Sequence, residues 1–298
     1  MFKNKVNQVR SGWLILGSFI IMYVGQTIFM LPGMTLVSII QISSDSIAVE
    51  IDPLNLDNPW LILLTIGAGH LGGIAATLVA WRAINKQNPL EIGLRGSGKD
   101  FLFGLFLGAA SITVIFLLLL GTRNVEMINS FSTPEFSMFT LVFLIIFIFV
   151  GFFEEMFFRG YIMRTMESRR NQKWLIYIVS AFVFSLVHIT NPNVSLLGLI
   201  NIIFVGLLFA YMFDKTNSLW LPIGYHITWN YFQGNVFGFP VSGITPHGIY
   251  KVDVSNGNSL LTGGSFGLEG GLMATILILL GFVATRYYIL RQEKNIEV

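Results

Sequence analysis

Apolar residues run along this chain in blocks of about 20, the length needed to cross the hydrocarbon core of a bilayer as a helix, with short polar stretches between them. The blocks predict about eight helices, over residues 12–40, 60–81, 101–121, 137–165, 174–191, 195–213, 218–236 and 270–290. The first and fourth are long enough to tilt or to project into water. The first follows Lys3, Lys5 and Arg10, as the apolar core of a signal peptide would. It is too long for one and lacks a small-residue cleavage site, so it reads as an uncleaved anchor. No linker, repeat or low-complexity stretch divides residues 1–298, which are expected to form a single integral-membrane domain. The fold class is therefore all-α, a polytopic membrane helix bundle.

Composition agrees with this pattern. Charged residues make up 11% of the chain against roughly 25% in soluble domains. The net charge of +2 is small and the basic residues sit in short loops rather than in a stripe, which argues against nucleic acid as a partner. There is no cysteine, so disulfides, thiolate metal sites, a cysteine nucleophile and lipidation at cysteine are all excluded.

Loop charges orient the bundle, because short cytoplasmic loops are enriched in Lys and Arg. Basic residues precede the first span, follow the second (Arg82, Lys86, Arg95, Lys99) and the fourth (Arg164, Arg169, Arg170, Lys173), and end the chain (Arg286, Arg291, Lys294). The loop after the first span holds Asp45, Glu50, Asp52 and Asp57 instead. Both termini are expected in the cytoplasm.

Against this background a few polar side chains stand out. Glu154, Glu155 and Arg159 lie in the fourth apolar block, where an ionised side chain costs several kcal/mol. His188, His226 and Asn230 lie in later blocks. At a rise of about 1.5 Å per residue, Glu154 is about 15 Å, His188 about 21 Å, and His226 and Asn230 about 12 and 18 Å from the cytoplasmic ends of their helices. Four polar residues thus share one layer. Residues four apart share a helix face, which pairs Glu155 with Arg159 and leaves Glu154 about 100° away, free for chemistry. His226 and Asn230 share a face in the same way.

Three motifs, Glu154-Glu-Met-Phe-Phe-Arg159, Phe184-Ser-Leu-Val-His188 and His226-Ile-Thr-Trp-Asn230, resemble those of the CPBP family of intramembrane proteases, which includes CAAX proteases and bacteriocin-processing enzymes. The resemblance covers about residues 137–271, the expected catalytic core. It implies peptide hydrolysis without a cofactor: Glu154 and His188 activate water, His226 and Asn230 form the oxyanion hole, and Glu155 and Arg159 give structural support. It also implies a peptide or protein substrate, membrane-anchored or prenylated in some members, and a bacterial plasma membrane location within the lipid bilayer. Water needs a base of matched pKa, and a tetrahedral intermediate needs donors aimed at its oxygen.

Other readings stay open at this stage. Glu154, His188 and His226 would also make a zinc site of a familiar hydrolytic type. Buried carboxylates and histidines serve proton-coupled transporters. A bacteriocin-immunity or scaffold protein would keep the fold without proteolysis. Outside the motifs, Gly69-His-Leu-Gly-Gly73 and Gly104-Leu-Phe-Leu-Gly108 read as close helix contacts, with His70 left out of the site, and Asn201 reads as a polar link between helices. The Gly-rich stretch 235–270 suggests a re-entrant or gating loop.

Overall fold

The computed structural model describes residues 2–3, 7–43 and 58–296. The acidic loop holding Asp45, Glu50, Asp52 and Asp57 lies outside them. Eight helical segments account for most of the described chain: α1 (Ser11–Ser43), α2 (Pro59–Asn85), α3 (Gly98–Gly121), α4 (Met138–Ser168), α5 (Lys173–Leu186), α6 (Leu196–Thr216), α7 (Trp220–Tyr231, extended by π turns over Phe232–Val236) and α8 (Leu272–Ile296). Six of them, all but α5 and α7, are long and apolar enough to cross a membrane. The protein is an all-α polytopic bundle with its site-bearing helices in the interior.

The boundary difference that matters for the site is at α5, which stops at Leu186 rather than 191. The cause is local. Pro192 cannot continue a helix, and Asn193 takes a left-handed conformation at φ 56°. His188 therefore stands in the turns just past the helix, where its Nδ1 caps the carbonyl of Phe184 at 2.8 Å.

α7 occupies the centre, packed against α3 on one side and α4 on another. Its approach to α3 depends on missing side chains: a Cβ at Gly104 would meet the carbonyl oxygen of Leu221 at 2.2 Å, and one at Gly108 that of Tyr225 at 2.3 Å. This close crossing fixes the rotation of α7 and so the direction of His226 and Asn230. α4 carries eight consecutive residues of π-helix, Met156–Met163, directly after the two glutamates. The widened turns displace backbone groups from their usual partners, and the Oγ of Ser180 on α5 donates to the carbonyl of Phe158 at 3.0 Å.

The connections sort to two ends. At one, Arg169 Nε donates to Val9 O, Asn171 Nδ2 to Ser11 Oγ, and Leu219 N to Gly93 O. At the other, a two-residue strand β1 (Glu126–Met127) pairs antiparallel with β2 (Val252–Asp253), Glu126 opposite Asp253. Single cysteines placed at Ser132 and at Ser168, both exposed, should react with an impermeant maleimide from opposite sides of oriented vesicles, Ser168 from the side that carries the basic loops. Labelling of both from one side would overturn the topology.

Candidate active site

The site begins with the buried pair that α4 supplies. Arg159 Nη1 donates to Glu155 Oε1 at 2.9 Å, and both side chains are fully buried. Nη2 donates to the carbonyl of Gly206 on α6 at 3.2 Å, and the carbon centre lies 4.4 Å from the ring of Phe184 and 5.2 Å from that of Phe209, while Nε is buried with no hydrogen-bond partner among the described residues. Glu155 Oε1 has a second donor, the Nδ1 of His226 on α7, also at 2.9 Å. Glu155 is thus more than a counterion for Arg159. It fixes which nitrogen of His226 carries the proton, because a carboxylate oxygen can only accept.

With Nδ1 committed, His226 turns Nε2 toward Glu154 Oε2, 3.7 Å away. That distance exceeds a hydrogen bond but lies within ion-pair range. Glu154 Oε2 is buried and has no hydrogen-bond partner among the described residues. The charges of this group are easily counted. Glu154 and Glu155 carry two negative charges, Arg159 one positive, and a proton on His226 Nε2 brings the sum to zero. Neutrality inside an apolar bundle therefore calls for one proton shared between Glu154 and His226.

His188 is fixed by the same logic. Its Nδ1–H is spent on Phe184 O, so the neutral ring offers a lone pair at Nε2. The side-chain amide of Asn230, one turn beyond His226, has no hydrogen-bond partner among the described residues, although the residue is buried. Glu154, His188, His226 and Asn230 all line one cavity of about 340 Å³. Its remaining wall is mostly apolar, with Ile66, Phe143, Ile146, Phe147 and Val150 on one flank.

A further histidine and a further carboxylate outside the sequence-derived set line the cavity. His70 on α2, read from the sequence as packing, lines the same cavity, with its Nδ1 on the carbonyl of Ile66 at 2.7 Å. Glu269, from the Gly-rich stretch before α8, also faces it. Asn201, read as a link between helices, joins α6 to α8 by accepting from Thr275 Oγ1 at 2.7 Å, and it also ties α6 to that stretch by donating to Glu269 O at 2.8 Å and Gly271 O at 3.0 Å. The stretch folds back over the end of the bundle. It adds Val241, Ser242, Ile244 and Pro246 to the cavity wall, and Gly243 N donates to Phe266 O at 2.8 Å.

A polytopic helical membrane protein that sets a glutamate, two motif histidines and an asparagine around one cavity, with a buried Glu155–Arg159 pair behind them, has the makings of an intramembrane hydrolase. Residues 136–232 match the family model described as type II CAAX prenyl endopeptidase Rce1-like, so this part of the chain resembles the CPBP and CAAX intramembrane proteases. The match spans α4 to α7, a range that includes all three motifs. No curated protein and no solved structure matches the chain. An intramembrane peptidase of CAAX type is the activity class that this family carries.

Proposed function

We propose that the chain is a glutamate-dependent intramembrane endopeptidase in which Glu154 is the general base. The observation that carries this reading is the fixed tautomer of both motif histidines beside a carboxylate whose Oε2 has no partner. A water held between Glu154 and the lone pair of His188 Nε2 gives a proton to Glu154 as its oxygen bonds to the scissile carbonyl carbon. The carbonyl π electrons move to the oxygen, which takes hydrogen bonds from the protonated Nε2 of His226 and the amide of Asn230. Glu155, held by Arg159, stabilises that imidazolium through Nδ1. Collapse of the intermediate re-forms the carbonyl and breaks the C–N bond, and the proton on Glu154 passes to the departing amine.

The metal-free form of this reading has support of its own. His188 and His226 each have a free Nε2 and a committed Nδ1, as zinc ligands do. Among the described residues, however, no three His, Cys, Asp or Glu side chains stand close enough together to hold a metal ion. Asn230, on the same face as His226, is a good oxyanion donor and a poor zinc ligand. Substrates would be peptides or proteins reaching the cavity from the bilayer, membrane-anchored or prenylated, in a bacterial plasma membrane with both termini cytoplasmic.

The test is cleavage by purified protein in proteoliposomes, with product ends identified by mass spectrometry and the reaction run with and without a chelator. Chelator-resistant cleavage is expected. Asn230→Ala should lower kcat on the order of 10²- to 10³-fold with little change in KM, the usual effect of losing one oxyanion donor. Inactivation by chelator that added zinc reverses, with metal content lost in His188→Ala and His226→Ala, would replace this mechanism with a zinc one.

A further inference from the structure

Glu269 is a third carboxylate in the cavity, and the mechanism above makes no use of it. It comes from the segment between α7 and α8 rather than from a motif helix. One oxygen, Oε2, is held by Gln233 Nε2 at 2.5 Å and more loosely by Ser242 N at 3.5 Å. The other, Oε1, has no hydrogen-bond partner among the described residues, although the residue is only 8% exposed. The placement is built into the backbone. Asn201 fixes the carbonyls of Glu269 and Gly271. Gly267, at φ 102°, lets the chain pass where a Cβ would meet Pro240 O at 2.0 Å and Gln233 Nε2 at 2.9 Å.

Charge decides what this carboxylate is for. The set Glu154, Glu155, Arg159 and His226 already balances with one shared proton. His70 and His188 each spend Nδ1 on a backbone carbonyl, and among the described residues neither stands within ion-pair distance of Glu269. No Lys or Arg lines the cavity. Ionised Glu269 therefore has no cation in contact with it among the described residues, and a guest can supply one.

On the endopeptidase reading above, we propose that Glu269 determines specificity by pairing its free oxygen with a cationic group of the substrate, a lysine ammonium or an arginine guanidinium bound near the scissile bond. Burial pushes the carboxyl of the empty cavity up to about 7, while the donors on Oε2 and the nearby His226 pull the other way. A cationic guest favours the ionised form, so binding of a basic substrate releases a proton and strengthens as pH rises through that value.

Binding rather than turnover tests this, so that a failure here is distinct from a failure of the proteolytic reading. The protein is the full chain carrying Glu154→Gln, which cannot cleave on that reading and which removes the other free carboxylate. The probes are fluorescent apolar hexapeptides in which one lysine, or norleucine in its place, is moved through every position. At one or two adjacent positions the lysine peptide should bind about ten- to a hundredfold more tightly than its norleucine twin near pH 8.5, the range for a hydrogen bond to a charged group. The advantage should vanish near pH 5.5, measured on the same protein, and at all pH values when Glu269→Gln is added. Protonation of His70, His188 or His226 at low pH also repels a cation, and the pH dependence left in the Glu269→Gln protein measures that share. Absence of a lysine advantage at every position, or an equal advantage with and without Glu269, overturns the proposal.

Discussion

Glu154→Gln should lower kcat on the order of 10²- to 10⁴-fold, the contribution of a positioned general base, while the thermal unfolding midpoint in detergent stays where it was. The stability half of this expectation rests on contact, since net charge closes at zero after loss of either glutamate: Arg159 pairs directly with Glu155 and, among the described residues, makes no ion pair with Glu154. Loss of the Glu154 charge is offset when His226 gives up the proton on Nε2, and Glu155, Arg159 and a neutral His226 again sum to zero. No hydrogen bond to Oε2 is lost, since none among the described residues is made. The amide has the same shape and lines the same cavity. Retained cleavage in this variant would remove Glu154 from the chemistry and leave His188 as the candidate base.

Glu155→Gln should do the reverse and destabilise the fold by about 3 to 5 kcal/mol, the loss typical when one partner of a buried ion pair is removed. The substitution isolates charge unusually well. Glu155 accepts from Arg159 and from His226 through the same atom, Oε1, and its Oε2 has no partner, so glutamine can keep both hydrogen bonds. What it loses is the negative charge in direct contact, and Arg159 is left fully buried against a neutral amide, the carbonyl of Gly206 and aromatic faces. Adding Arg159→Met should restore much of the stability, because an apolar side chain of similar length suits the surrounding Phe rings. Denaturant or thermal unfolding of the three proteins, alongside Glu154→Gln, measures this. Equal destabilisation by the Glu154 and Glu155 variants would overturn the division of roles between the two glutamates.

Much of this site was legible in the residues. Charged and imidazole side chains are conspicuous in apolar helices, and the helical period separates Glu154 from Glu155 and aligns Glu155 with Arg159 and His226 with Asn230. The second bond of Glu155, to His226, was not legible. Periodicity says which residues share a face, but not which helix lies across from it, and the α4–α7 contact is a tertiary fact. His70 looked like packing for the same reason: its glycine neighbours announce a close helix contact and say nothing of the cavity beside it. Glu269 reaches the site through a segment without helical period, held by positive-φ glycines and by Asn201. One signal did point to it. Between residues 254 and 285 it is the single charged side chain. The π turns over Met156–Met163 left no mark in the sequence that the helical pattern would reveal.

The pairing of Glu155 with Arg159 on one helix also bears on biogenesis. The ribosome delivers α4 before α6 and α7 exist, so neither Gly206 nor His226 is present when this segment first meets the lipid. Alone at a helix centre, Arg or an acidic residue opposes insertion by about 2.5 to 3.5 kcal/mol. An arginine four residues after its glutamate carries its own counterion into the bilayer, leaving only Glu154 uncompensated in a segment otherwise strongly apolar. Moving the arginine to α6 or α7 would keep a similar finished pair but would send two unmatched charges through the translocon at different times. The position of Arg159 suits the order of synthesis as well as the final fold.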